Sequence, residues 1–255
     1  MVLAGRCPTT ISPLFCAGRL IALAKKPGGI WPIAVGMSFH RLVSKCTNSF
    51  GTSRLATYSA CNSLELVPRM AVRQQSTQHT DNTGNVRQGG RGQVRLLQRV
   101  QQPAPVRHVA SAVRDRIPAL LPHCYSSYAQ PSMLFYEGDV VLSQEGTQQG
   151  DPLGPLLFSN TAQPLLQSLS SALTLGCLDD VTLGGSLDVV AADVQKIITE
   201  DQAMGLCLNN TKCKIIAHQQ TVIADPTLCS YTRVSIEDAT LLGAPLFARR
   251  VLDEA

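Results

Sequence analysis

Two short stretches hold the residues whose types and spacing could do chemistry. In one, Gln148-Gln149-Gly150-Asp151-Pro152 opens an apolar helix. In the other, Asp179-Asp180 sits between two β-prone runs, Leu173 to Leu178 and Val181 to Leu183, and Gly184-Gly185 ends the second. Adjacent strand residues face opposite sides of a sheet, but at a hairpin tip two neighbouring carboxylates can reach one site. That suits a divalent cation, since Mg²⁺ is typically held by one or two carboxylates together with substrate phosphates and water. A glycine such as Gly150 lets backbone approach a ligand closely, and the Gln149 amide can hydrogen-bond a polar edge. Alone, an Asp-Asp turn is ordinary solvated loop chemistry and a capped helix is common. The two in this order are far more specific.

The elements that must position these residues are readable in part. Asp151 is a good helix N-cap and Pro152 suits the first helical position. Leu153, Leu156, Leu157, Leu165, Leu166 and Leu169 then recur as a core face, with Pro164 placed to kink the helix. Residues 133 to 143 read as two strands around Glu137-Gly138-Asp139. Residues 112 to 121 read as a helical piece broken at Pro118. After the aspartate pair, Ser186 precedes a helix from Leu187 to Met204 with Leu187, Val190, Val194, Ile197 and Ile198 on one face and Gly205 as its stop. An Asn209-Asn210 turn and a strand from Lys212 to Ala217 follow. Near the N-terminus, residues 18 to 26 and Ile30 to Val35 form a hairpin across Pro27-Gly28-Gly29, and Pro32 marks an edge strand. Ser38 caps a helix through about Thr47 that carries Phe39, Leu42, Val43 and Cys46 on one face.

Composition sets wide bounds. The 255 residues suffice for one large domain or two small ones with a sizeable core. Charged residues are sparse at 16%, and a net charge of +4 permits a nucleic-acid partner without demanding one. The nine cysteines form no Cys-x-x-Cys pair, and the five histidines do not join them at ligand spacing. Reduced thiols in a cytosolic or nuclear protein are therefore expected, and a zinc site is not. No apolar run reaches the ~18 to 20 residues of a membrane span. Arg19 interrupts the mildly apolar residues 11 to 24 with no cleavage pattern after it, so neither a signal peptide nor a membrane partner is expected. No repeat recurs at a fixed period.

Together, QQGDPLGPLLF and the hairpin LTLGCLDDVTLGG resemble the palm of a reverse transcriptase, of the non-LTR retrotransposon kind. The likeness covers about 18 to 46 and 111 to 246. It implies an α+β polymerase palm, an antiparallel sheet with helices on one face, with partial fingers and a thumb largely absent. The implied partners are an RNA template, a DNA primer and deoxynucleotide triphosphates. Asp179 and Asp180 would be catalytic metal ligands. Polymerases use two Mg²⁺ about 3.5 to 4 Å apart, one activating the attacking hydroxyl and one neutralising the phosphates. Lys26, at the end of the basic hairpin, and Lys212, in GLCLNNTKCKII, would lie near the triphosphate, while Gln149 and Gly150 would contact nucleotide or template. For either lysine an exposed hairpin position is the plain alternative. LLGAPL, residues 241 to 246, resembles the start of the hairpin that grips the primer. Two departures weaken the likeness: Trp31 stands where the family has an arginine, and Cys177 where it has an aromatic residue. An indole cannot fork onto phosphate oxygens as a guanidinium does.

The gravest departure lies in residues 66 to 110. This interval is rich in Gln, Arg, Gly and Thr, has no usable apolar period and reads as low-order. The family's first catalytic motif, an aspartate strand with an Asn-Ala-Phe-Asn-like turn, belongs here and is missing. Back-translation of Arg87 to Gln102, shifted by one base, can read Ser-Asp-Lys-Ala-Asp-Val-Val-Lys-Phe-Asp-Phe-Ser-Asn-Ala-Phe-Asn-Ser. Leu66 to Thr80, in the remaining frame, can likewise give a family-like sequence. Two readings stay open: out-of-frame translation of a decayed element, or a genuine basic linker in which Arg87, Arg91, Arg95, Arg99 and Arg107 touch phosphates. The resulting organisation is partial fingers (1–65), the low-order segment (66–110), a palm (111–217) and a palm–thumb fragment (218–255). The expected function is a reverse transcriptase-like domain with little or no RNA-directed DNA polymerase activity. The alternatives are a nucleic-acid-binding remnant without chemistry, or a product that aggregates for want of its central strand.

Overall fold

The computed structural model describes residues 7–8, 10–24, 29–59, 92–97, 113, 115–144, 146–148, 150–204, 206–217, 220–241 and 244–246. In chain order its elements are α1 (Ser12–Phe15), β1 (Gly18–Ala24), β2 (Ile30–Gly36), α2 (Ser38–Ser59), β3 (Gly92–Leu97), α3 (Leu121–Tyr128), β4 (Ser132–Tyr136) and β5 (Asp139–Ser143). They continue as α4 (Gly154–Gln167), β6 (Leu173–Cys177), β7 (Asp180–Gly185), α5 (Leu187–Ala203), β8 (Lys214–Ile216), α6 (Pro226–Cys229), β9 (Thr232–Val234), β10 (Thr240–Leu241) and β11 (Ala244–Pro245). Short 3-10 turns cover Pro118–Leu120 and Asn210–Lys212. This is an α+β fold with mostly antiparallel sheets. The chain divides into two compact units, parted within α4 at Pro164 and Leu165.

The first unit carries a four-stranded sheet in the order β2-β1-β4-β5. β1 and β2 form the expected hairpin, Gly18 opposite Gly36 and Ala24 opposite Ile30, and β2 is an edge strand that tolerates Pro32. β4 and β5 form the second hairpin. Its two turn residues, Glu137 (φ 47°) and Gly138 (φ 95°), both take positive φ, the geometry that matches the twist of a tight hairpin. The core beside this sheet joins Leu55, Val113, Ile117, Leu120 and Cys124 to Leu153, Leu156 and Leu157. The leucines that open α4 thus do what their spacing predicts. Pro164 lies inside α4 without ending it.

Helix α2 departs from expectation. It runs on to Ser59, and it turns a different side inward. His40, Val43, Ser44, Thr47 and Leu55 are buried, whereas Phe39, Leu42, Cys46 and Phe50 are exposed. The approach of α2 to its neighbours is fixed at Gly51, where a Cβ would run into the Leu156 side chain and press on Leu120. Of the stripe read as a core face, only Val43 faces the core.

The second unit carries a five-stranded sheet in the order β6-β7-β3-β8-β9. Its centre is β3, which pairs antiparallel with β7 from Gly92 opposite Gly185 to Leu97 opposite Asp180, and with β8 on its other side. The palm expected to lack a central strand has one, and it comes from the interval read as low-order. Leu183, Val190, Val194, Ile197 and Ile215 are almost fully buried. The buried Asp193 carboxylate accepts from the backbone N–H groups of Ser170 and Ser171, which ties α5 to the segment leading into β6. Among the described residues, no helix is long and apolar enough to cross a membrane.

Candidate functional site

The Gln-Gly turn belongs to the first unit. Gly150 has φ +114°, a conformation that side-chain-bearing residues rarely adopt, and a Cβ there would run into the Ala34 carbonyl oxygen on β2. Only a glycine lets the turn lie against the hairpin this way. Gln148 fastens the other side: its Nε2 donates to the Cys16 carbonyl oxygen at 3.1 Å and to Ser132 Oγ. Asp151 is buried, and its Oδ1 accepts from the Leu153 N–H at 3.0 Å while its Oδ2 accepts from the Tyr128 hydroxyl. A carboxylate taken out of water needs such donors, and charge-assisted bonds are the strong ones. Asp151 therefore caps the turn before α4, which begins three residues later at Gly154.

The surroundings of this turn are dry. Burial pushes the Tyr128 hydroxyl well above the usual tyrosine range, and the Asp151 carboxylate adds to the shift. Burial raises the Cys16 thiol to about 11 and Cys124 to about 12, so neither is a thiolate at neutral pH. His40 is lowered by burial, against the pull of Asp151. Of these side chains, Tyr128 is the one that hydrogen-bonds the turn, through Asp151. The sequence marked Gly150 as a contact and Gln148 only as a member of its motif, and it did not mark Tyr128 or Ser132. The one local signal was the glycine between polar residues, and the partners come from elements far away in the chain.

The aspartate pair belongs to the second unit. Leu178 (φ 50°) and Asp179 make the turn between β6 and β7, and Asp180 is the first residue of β7, opposite Cys177. A leucine held in the left-handed region is strained, and such strain persists only where flanking structure enforces it. Here five consecutive β6–β7 pairs do so. Both aspartates are half-buried. On the β3 side Asp180 has Leu97 as its neighbour, and β3, Gly-Gln-Val-Arg-Leu-Leu, contains no carboxylate. Arg95 stands opposite Thr182, two residues along β7 from Asp180. Among the described residues, no group of three or more His, Cys, Asp or Glu side chains is placed to hold a metal ion. Lys212 closes the 3-10 turn before β8, half-buried, rather than starting the strand as expected. Lys26 and Gln149 lie outside the described residues.

No family model and no curated protein matches the chain. Solved structures do. The apo telomerase of Candida tropicalis, truncated from its C-terminal domain, aligns with a TM-score of 0.60 over 83% of this chain and 52% of its own, at 13% identity. The telomerase of Candida albicans in complex with a fragment of telomeric RNA aligns with a TM-score of 0.56 over 85% of this chain and 44% of its own, at 10% identity. The chain has a reverse transcriptase-like fold. It spans about half the length of the telomerase chains it matches. At this identity the likeness speaks for the fold alone.

Proposed function

We propose that this chain is a reverse transcriptase-like domain that binds RNA or a primer–template and does not extend it. The observation that carries the reading is β3. It occupies the centre of the sheet beside the aspartate hairpin, yet it sets Leu97 opposite Asp180 and Arg95 opposite Thr182, two residues along, and contains no acid. A two-ion site needs enough carboxylates to hold both ions. Asp179 and Asp180 would face Mg²⁺ as a pair, without a third carboxylate from β3. Among the described residues no such set of carboxylates comes together, and no reaction step is drawn through a two-Mg²⁺ centre. Lys26, Gln149, Gly150 and Lys212 are proposed as nucleotide or template contacts, with deoxynucleotide triphosphates as the ligand class.

The QQGDPLGPLLF and LDD motifs support an origin in a non-LTR retrotransposon, and the arginine of β3 supports a decayed copy. With permitted synonymous codons, a reading frame shifted by one base can carry an aspartate that begins within the codon of Arg95. The experiment is a filter-binding titration with single-stranded RNA and with a primed RNA template, run beside primer extension. Salt-dependent binding without incorporation is the expected pair of results. Failure to bind either ligand would overturn the binding reading, and Mg²⁺-dependent incorporation lost in Asp179→Ala would overturn the inactive one.

A further inference from the structure

Helix α2 carries its most apolar stripe on the outside. Phe39, Leu42, Cys46 and Phe50 follow the i, i+3, i+7, i+11 spacing of one helix face. Phe39 is 60% exposed, Leu42 57% and Phe50 41%. The opposite side, turned into the first unit, buries His40 and Ser44 instead, and neither His40 Nε2 nor Ser44 Oγ has a hydrogen-bond partner. A helix that buries polar atoms while showing water two phenylalanines and a leucine has a second surface to satisfy.

The charges around the stripe say what would cover it. Lys45 borders the stripe beside Leu42 with Arg41 one turn back and farther round, both exposed, and Arg54 lies on the other flank beside Phe50. α2 contains no acidic residue, and neither does any part of residues 1–64. A second copy of the chain would set basic flank against basic flank, which disfavours self-pairing. Stacked bases need open ring faces, and here the Arg54 guanidinium sits over the Phe50 ring at 5.3 Å while Phe39 packs edge-on to Phe15 at 6.0 Å. A continuous helical stripe with positive borders matches an apolar stripe with negative ones.

We infer that the outer face of α2 is a docking site for an acidic amphipathic helix of a partner protein, with Phe39, Leu42 and Phe50 as anchors and Arg41, Lys45 and Arg54 as charge guides. This goes beyond nucleic-acid binding and does not depend on it.

The test is fluorescence anisotropy of the full chain with two labelled synthetic helical peptides. One has a leucine stripe flanked by glutamates, and its twin has lysines in their place. The glutamate peptide should bind and the lysine peptide should not. Leu42→Asp should weaken binding by at least about tenfold with the thermal unfolding transition unchanged. The double variant Arg41→Glu, Lys45→Glu should turn the preference toward the lysine peptide. Absence of binding, equal binding of both peptides, or indifference to Leu42→Asp would overturn the proposal. So would a concentration-dependent dimer that Leu42→Asp abolishes, since the occupant would then be a second copy. Oligo(U) binding abolished by Leu42→Asp would make the face a nucleic-acid surface instead.

Discussion

The Gln148–Asp151 turn and the Asp179–Asp180 hairpin carry the two motifs of one protein, and they are held by different means. At the turn, a backbone carbonyl on β2 meets Gly150, two acceptors take the Gln148 amide, and a hydroxyl and an N–H satisfy Asp151. The turn is part of the packing of its unit. At the hairpin, five β6–β7 pairs flank the aspartates, and the neighbouring strand β3 sets Leu97 opposite Asp180 and Arg95 opposite Thr182. The turn is fixed by partners from several elements, the hairpin by the pairing of adjacent strands.

The sharpest way to break that contrast is to damage each region and compare stability. Gly150→Val forces a branched side chain into a left-handed backbone against the Ala34 carbonyl, and should cost about 3 kcal/mol or more in urea unfolding. Asp179→Ala should shift the same midpoint by less than about 1 kcal/mol. Equal losses would mean that the hairpin is as much a part of the packing as the turn. Tyr128→Phe comes next. It leaves the buried Asp151 Oδ2 without its side-chain donor, so urea unfolding should show a loss of about 2 kcal/mol.

Arg95→Asp sharpens the other side. It puts a carboxylate at the β3 position opposite Thr182, near the start of β7. Terbium luminescence should then report tighter cation binding than in the unaltered chain, on the order of tenfold. No change would show that this register does not bring position 95 to the aspartates.

The smallest effect concerns pH. The His40 pKa is lowered from 6.5 by burial, so the unfolded chain takes up this proton more readily than the folded one. Stability should therefore fall as the pH drops through 6.5 toward the lower folded-state value, and should not change on this account above it. His40→Asn should flatten the slope of the melting temperature between pH 7 and about pH 5.5. An unaltered slope would remove His40 as its source.

How much of this was legible depended on how local each cause is. The Glu137–Gly138 turn, the leucines of α4 and the β6–β7 hairpin are set by residues close in sequence; the first two lie where their patterns predict, and the hairpin turns one residue early, with Leu178 in the turn and Asp180 in β7 rather than at the tip. β3 was illegible because Gly-Gln-Val-Arg-Leu-Leu has little strand signal of its own. It is a strand because β7 and β8 hydrogen-bond it from both sides, and both lie far along the chain. The orientation of α2 was illegible for a related reason. Periodicity finds an apolar stripe but not which way it turns, and that is a matter of tertiary packing, in which Gly51 lies close against Leu156. Likewise Asp151 announces a cap, while its Tyr128 partner is a matter of tertiary packing.

We propose that the reverse transcriptase-like fold persists here without polymerase activity. Primer extension on a primed RNA template tests it most directly, with Mg²⁺ and labelled deoxynucleotides, for the unaltered chain beside Asp179→Ala/Asp180→Ala. The predicted result is no incorporation above that of the double variant. Template-directed, Mg²⁺-dependent extension that the double variant abolishes would contradict it.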